Sequence, residues 1–265
     1  MLIRKEIWLF LSDKKSLAVT LIIPVTIIPA IVIPIFAGPR IYTSLTYSLA
    51  LKQIKENYAI FGLTSDDVDR LGENAITFAA MFQLSPTIAI FTAIVAAQIV
   101  GRGFMIEKYN GTMEILLASP IEIEDIVIPK VVIGAMMGAI TWSILFSVVT
   151  SSIEYITLKY IGKLWLPTAH YILLMVLLPL SFFLFGLSFS LLAGVRGSEA
   201  LLNLSIYLVV IVSVCIMLTA SILRLPAPLF FLLLELMSAI SFLVSMFIIV
   251  ISYRIMNRLA FIVNY

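Results

Sequence analysis

The sequence contains few charged residues and few of the side chains that bind metals or form disulfides. Asp, Glu, Lys and Arg make up 12% of the 265 residues, whereas a typical soluble domain has about 25%. The single cysteine, Cys215, excludes a disulfide within the chain, and the single histidine, His170, cannot build a zinc site. The only Gly-Lys pair, Gly162-Lys163, is not part of a G-x-x-x-x-G-K-[ST] phosphate-binding loop. We therefore predict no catalytic residue, metal or cofactor in this chain, and the net charge of +2 is too small to indicate a nucleic-acid partner.

Hydrophobic residues dominate the chain. They make up 62% of it, and the mean hydropathy is +1.14. Because a transmembrane helix needs about 20 mostly apolar residues, the sequence predicts an all-α, polytopic membrane protein in which residues 1–265 form a single transmembrane domain. Six stretches qualify as spans, at about residues 17–36, 77–100, 128–151, 170–193, 201–222 and 229–252.

The distribution of Lys and Arg predicts the orientation in the membrane. With the N-terminus inside, ten of these residues fall in cytoplasmic segments and seven in outer segments. Six spans then return the C-terminus to the cytoplasm. We therefore expect a protein of the cell membrane with both termini cytoplasmic, an outer segment at 37–76 and a cytoplasmic loop at 101–127.

Residues 2–15 are predicted to form an amphipathic helix on the inner membrane surface. Ile3, Ile7 and Phe10 fall on one helical face, and cations such as Lys14 can reach anionic lipid from its flanks. The alternative is a basic segment that simply leads into the first span.

Two further patterns predict local structure outside the cytoplasmic loop. Thr64-Ser65-Asp66-Asp67 is typical of the start of a short helix, and Gly72 of its end. In the third span, Gly134-x-x-x-Gly138 predicts a close approach of two helices. Packing within the subunit is favoured over dimerisation through this motif.

The stretch EKYNGTMEILLASPIE, Glu107 to Glu122, interrupts the apolar runs with an ordered series of helix signals. Asn110-Gly111 should end a helix that continues from the second span, and Thr112 can cap a new short helix. In that helix Met113, Leu116 and Leu117 share one face. An exposed apolar face with a polar rim is typical of a docking site on another protein. The alternative is an interfacial helix that lies on lipid.

A second helix start follows at once. Ser119-Pro120-Ile121-Glu122 has the pattern of a capping box with proline at the first helical position. Glu124 and Asp125 load the first turns with negative charge, and the helix is expected to continue through Lys130 into the third span. The loop is therefore predicted to hold a short amphipathic helix between two helical arms.

This run, followed by Pro129-Lys130, closely resembles the signature of the permease subunits of type-2 ABC exporters (the ABC-2 family): an acid, G-T-x-E, two leucines, S/T-P and later a lysine that opens the third span. The rest of the chain resembles the family more diffusely. It departs from the family pattern between the fifth and sixth spans, where only residues 224–228 separate the apolar runs. Either the outer gate is short, or part of 218–235 re-enters the membrane.

The resemblance implies a partner and a role for the loop. Two six-span permease halves, identical or different, would form the pathway, and separate ATP-binding subunits would supply ATP, Mg and hydrolysis. The short helix would act as the cytoplasmic coupling helix, braced by the N-terminal surface helix. By similarity, the coupling positions would be Glu107, Gly111, Thr112, Met113, Glu114, Leu116, Leu117 and Pro120.

Glu235 lies inside an apolar run, where a carboxylate is costly and often functional. It is either a pathway residue or a structural one. Because ion-coupled carriers place ionisable groups within the membrane, Glu235 is also the residue on which the alternative function would depend. That alternative is an ion-coupled secondary carrier or a membrane scaffold without transport activity.

Overall fold

The computed structural model describes residues 58–82, 85–118, 122–196 and 227–263, together with single residues before 58 and between 200 and 211. Every regular element in these residues is a helix. Two 3-10 turns, Tyr58–Phe61 and Gly72–Asn74, accompany seven α-helices in this part of the chain. The α-helices are α1 (Ser65–Leu71), α2 (Ala75–Phe82), α3 (Ser85–Tyr109), α4 (Thr112–Ala118), α5 (Ile123–Tyr160), α6 (Ala169–Arg196) and α7 (Ala227–Val263).

Four of these helices are long and apolar enough to cross a membrane, namely Thr87–Tyr109, Ile123–Tyr160, Tyr171–Ala193 and Pro228–Ile255. They correspond to the second, third, fourth and sixth predicted spans. This agrees with a helical, multi-pass membrane protein. The predicted first span (17–36), fifth span (201–222) and surface helix (2–15) lie outside the continuously described stretches, and only single residues of them, such as Lys5, are described.

The boundaries of two spans differ from the predicted ones. The expected second span at 77–100 is divided between α2 and α3, and α3 continues to Tyr109. Helix α5 has 38 residues, a length of about 57 Å at 1.5 Å per residue, so it extends beyond a hydrocarbon core of about 30 Å. Its uncharged part, residues 131–153, is the part that matches the membrane thickness. The hydropathy of the sequence predicts only this apolar part of α5, because the charged residues near the ends of the helix are not part of the apolar run.

Helix α3 is the centre of the bundle and packs between α5 and α6. Its apolar window is 72% buried, compared with 11% for α7. A Cβ at Gly134 would collide with Val100 of α3, which shows how closely α5 approaches. On the other side a Cβ at Gly186 of α6 would lie 3.0 Å from the Ala93 carbonyl oxygen. The predicted close packing at Gly134 is therefore confirmed, and it occurs within the subunit.

Helices α6 and α7 run in the same direction. The Ser238 hydroxyl of α7 donates to the Leu177 carbonyl oxygen of α6 at 3.3 Å. Further along both helices, Leu187 and Leu191 share an apolar cluster with Ile249. Arg196 and Ala227 consequently lie at opposite ends of the bundle, as a fifth span between them would require.

The end of the bundle nearest Phe61 carries the predicted short helix. Helix α1 begins after Thr64 with a reciprocal capping box to Asp67 and ends at Gly72, whose φ is +51°. The local sequence signals are therefore confirmed. The Lys163 ammonium lies 3.3 Å from Asp67 Oδ1, which joins this helix to the connection between α5 and α6.

Candidate functional site

The polar stretch that begins at Glu107 lies at the end of the bundle opposite to Phe61. Helix α3 ends at Tyr109, and Gly111 adopts φ +68°, a conformation that L side chains rarely adopt. The Asn110 N–H donates to the Ile106 carbonyl at 3.1 Å, and the Gly111 N–H to the Lys108 carbonyl at 3.1 Å. The predicted helix stop at Asn110-Gly111 is therefore confirmed.

Thr112 begins α4, but its hydroxyl has a different partner from the expected one. Thr112 Oγ1 donates to the Glu107 carbonyl oxygen at 3.0 Å. That carbonyl lies in the last turn of α3, where no later helical N–H is available to it. The hydroxyl therefore completes the end of α3 and ties the first residue of α4 to Glu107.

The apolar face of α4 is turned towards the bundle. Met113 is buried at 6% exposure among Phe104 of α3, Ile126 of α5 and Leu191 of α6, and Leu116 packs at the edge of the same cluster. This differs from the expected exposed face. Burial of Met113 removes its apolar surface from water, which favours this orientation of the helix.

The exposed apolar surface of this region comes instead from neighbouring positions. Ile115 of α4 is 69% exposed, and Tyr109 at the end of α3 is 71% exposed. Ile128 of α5 is also exposed. Because Met113 and Ile115 are two residues apart on a helix, they necessarily point in different directions.

Glu107 is the centre of a charged cluster beneath α4. Only 4% of the residue is exposed, and its two oxygens face two lysines that are distant in sequence. The Lys5 ammonium lies 3.1 Å from Oε1 as a hydrogen bond and ion pair. The Lys130 ammonium lies 3.0 Å from Oε2 with the distance of an ion pair but without the alignment of a hydrogen bond.

Lys130 is even less exposed than its partner, at 2%. Its ammonium also lies 5.4 Å from the centre of the Phe104 ring, within the range of a cation–π contact. A buried charge is costly unless it is paired, and here the carboxylate and the ring face provide the compensation. The pair joins the last turns of α3 to the first turns of α5.

The start of α5 lies later than the sequence predicted. The helix begins at Ile123, and Glu122 is an extended N-cap with φ −65° and ψ 144° and no side-chain capping bond. Pro120 is therefore not the first residue of this helix, although its own placement and that of Ser119 lie outside the described residues. Glu124 and Asp125 do occupy the first turn, as expected.

Pro129 lies inside α5, immediately before Lys130. A proline has no N–H, so the Asp125 carbonyl loses its helical donor, and the ring favours a bend at this position. The first turn of α5 therefore joins the long apolar part of the helix at Pro129, where one helical hydrogen bond is missing. This point lies next to the Glu107–Lys130 ion pair.

The predicted coupling positions thus fall into distinct groups. Gly111 and Thr112 are exposed, whereas Glu107 and Met113 are buried and Leu116 is half-buried. The side chains of Glu114, Leu117 and Pro120 lie outside the described residues. Lys130 was part of the family resemblance, as the lysine that opens the third span, but it was not among the predicted coupling positions. Lys5 and Ile115 were not among them either.

Glu235 lies far from this cluster. It is half-buried at a cleft of about 240 Å³ between α6 and α7, which is lined mainly by leucines such as Leu174 and Leu234. Ser238 lines the same cleft and bonds α6. The two candidate functions suggested by the sequence therefore depend on two separate places in the bundle.

Comparison of the chain with protein-family models, with curated protein sequences and with solved structures finds no match.

Proposed function

We propose that this chain is the transmembrane permease subunit of an ATP-driven exporter of the ABC-2 type, worked by a separate ATP-binding subunit. Two such permease halves, identical or different, would form the translocation pathway in the cell membrane. The charged end of the bundle that contains α4 would face the cytoplasm together with both termini. The chain supplies no catalytic residue in this proposal, because ATP and Mg act in the partner.

The observation that carries the proposal is α4 itself. A seven-residue helix is clipped between α3 and α5 at one end of the bundle, and it carries Ile115 on its outer side. Its inner side, with Met113 and Leu116, belongs to an apolar cluster that also holds residues of α3, α5, α6 and α7. A protein that pushed on α4 would therefore press on an apolar cluster to which all four long helices contribute.

The surroundings of α4 supply a suitable docking surface. Tyr109, Ile115 and Ile128 are exposed and apolar, and Lys108 and Glu124 lie beside them in the sequence at the same end of the bundle. An apolar centre with a charged rim is the usual composition of a protein interface. In a cycle of ATP binding and hydrolysis, the bound state of the partner would favour one conformation of the bundle and hydrolysis would release it.

The proposal is tested by mild purification of the tagged chain from its native membranes, followed by mass spectrometry of the proteins that accompany it. We expect a stoichiometric partner with a phosphate-binding loop. Ile115→Asp should remove that partner, because a charge at the centre of an apolar interface is left without compensation.

Leu164→Asp is the matched control. Leu164 is 68% exposed, as Ile115 is 69% exposed, but it lies between α5 and α6 at the opposite end of the bundle. The partner should remain bound to this variant. Recovery of the chain alone, under conditions that preserve other membrane complexes, would contradict the proposal and favour the ion-coupled carrier.

A further inference from the structure

We infer that Glu107 is a positioning residue rather than a docking residue, and that its ion pair with Lys130 is the joint through which movement of α4 reaches the membrane-spanning part of α5. This inference rests on the proposed function, since it concerns how a force on α4 is transmitted. It separates Glu107 from the other coupling positions of the loop.

Burial excludes a direct role in docking. Glu107 is 4% exposed and Lys130 is 2% exposed, and the Lys5 side chain covers the remaining oxygen of the carboxylate. A partner protein at this end of the bundle would meet Tyr109 and Ile115 instead, which are exposed by about seven-tenths. Glu107 can therefore influence a partner only through other parts of this chain.

Two polar contacts of Glu107 lead from α4 into α5. Its carbonyl oxygen accepts from Thr112 Oγ1, the first residue of α4, at 3.0 Å. Its carboxylate lies 3.0 Å from the ammonium of Lys130 in α5. One residue thus contacts the short helix through its main chain and the long helix through its side chain.

The neighbouring backbone explains why such a joint is needed. Gly111 separates α4 from α3 with a positive φ, and Pro129 interrupts the hydrogen bonds at the start of α5. Without the ion pair, α4 and the first turn of α5 could pivot at these two points while the rest of α5 stayed still. Lys130 follows Pro129 directly, so the ion pair fixes α5 on the membrane side of its weak point.

The cation–π contact strengthens the same connection. The Phe104 ring lies in the cluster that holds Met113, and the Lys130 ammonium lies 5.4 Å from its centre. Displacement of Met113 by a push on α4 would therefore move the ring against which Lys130 is held. The contact with the Phe104 ring and the ion pair with Glu107 would therefore both transmit the movement of α4 to Lys130.

The test uses the complex of this chain with the ATP-binding subunit that co-purifies with it, reconstituted in liposomes. A single cysteine is placed at Leu166, which is 79% exposed at the far end of the bundle, after Cys215→Ala. The rate at which a maleimide labels this cysteine is measured with and without Mg-ATP and vanadate. In the otherwise unchanged protein we expect ATP to change this rate by about fivefold or more, the range of an ordinary allosteric coupling.

Glu107→Gln and Lys130→Met should retain the bound partner but abolish the effect of ATP on the labelling rate. Lys130→Arg keeps the charge and should retain most of the effect. Lys163→Met, which removes an ion pair at the opposite end of the bundle, is the matched control and should behave like the parent. Each variant is first checked for the unfolding temperature of the parent, and Lys130→Met provides the result if Glu107→Gln does not fold.

The outcomes separate this inference from the proposed function. No partner, or no effect of ATP in the parent, would contradict the proposed function itself. If the parent responds to ATP and Glu107→Gln or Lys130→Met responds equally, the ion pair does not transmit the movement of α4 and the inference is wrong. Loss of the partner from folded Glu107→Gln would also overturn the inference, because it would make Glu107 a docking residue.

Discussion

The indole Nε1 of Trp165 donates a hydrogen bond to the main-chain carbonyl oxygen of Phe61 at 2.9 Å, although the two residues are 104 positions apart. Both are buried, and Trp165 also contacts the Tyr171 ring at 5.1 Å in an edge-on arrangement. Thr168 adds a second bond, from its hydroxyl to the Ile60 carbonyl at 3.1 Å. The segment before α1 is therefore fixed to the start of α6 by side chains of the connection between α5 and α6.

Trp165→Phe should destabilise the protein by about 1–3 kcal/mol, since it removes the indole donor from a buried carbonyl. The unfolding temperature in detergent should fall accordingly. Leu164→Ala is the control, because Leu164 is largely exposed and its truncation should have little effect. An unchanged unfolding temperature for Trp165→Phe would show that this bond does not hold the two segments together.

The two glycines of α5 should differ in their tolerance to alanine. A Cβ at Gly134 would collide with the Val100 side chain, whereas at Gly138 the nearest atom would be Ala96 Cβ at 3.5 Å, an ordinary contact. Gly134→Ala should therefore cost about 1–3 kcal/mol of stability through overpacking. Gly138→Ala should have a smaller effect. Thermal unfolding of both variants checks this order, and equal effects would contradict the packing of α5 on α3.

The acid stability of the Asp67 end of the bundle should depend on one carboxyl group. A hydrogen bond from the Thr64 hydroxyl at 2.7 Å is the main reason that the pKa of Asp67 is lowered from its ordinary value of 3.8, and Lys163 contributes in the same direction against the opposing effect of burial. Because the pKa is lower in the folded state, the carboxylate stabilises the fold above the ordinary value. This contribution is lost as the pH falls through the lowered pKa.

Asp67→Asn should therefore lower the unfolding temperature at neutral pH, and its difference from the parent should shrink as the pH falls below about 3.8. Asp69→Asn serves as the control, since 65% of the Asp69 side chain is exposed in its ion pair with Lys55 and such pairs contribute little. A difference for Asp67→Asn that stays constant down to the lowest pH would refute the assignment.

Glu235→Gln should leave binding of the ATP-binding subunit intact. Glu235 lies 14 residues from Ile249, the first α7 residue of the apolar cluster that holds Met113, a separation of about 21 Å along the helix. Quantitative co-purification of the partner provides the measurement. Transport that disappears in this variant while the partner stays bound would assign Glu235 to the pathway, and loss of the partner would contradict the separation of the two places.

Much of the local structure followed from the sequence because its causes are local. The stop at Asn110-Gly111, the capped start of α1 at Thr64 and the end of that helix at Gly72 all depend on residues within a few positions. The apolar lengths likewise predicted the four described spans. The start of α5 was placed too early, because the pattern at Ser119-Pro120 is a local preference that does not by itself fix where the long helix begins.

The helical character of the chain, its apolar stretches long enough to cross a membrane and the position of a short helix between two long ones therefore follow from contiguous residues, since apolar length and turn chemistry are local properties. The packing of the helices, by contrast, sets which side of α4 is buried, with Met113 pointing inward and Ile115 outward, and brings Glu107 to Lys130 and Lys5. These features depend on contacts between segments that are distant along the chain. The direction of a side chain relative to a packed bundle, and the partner of a buried charge, are set when those segments come together.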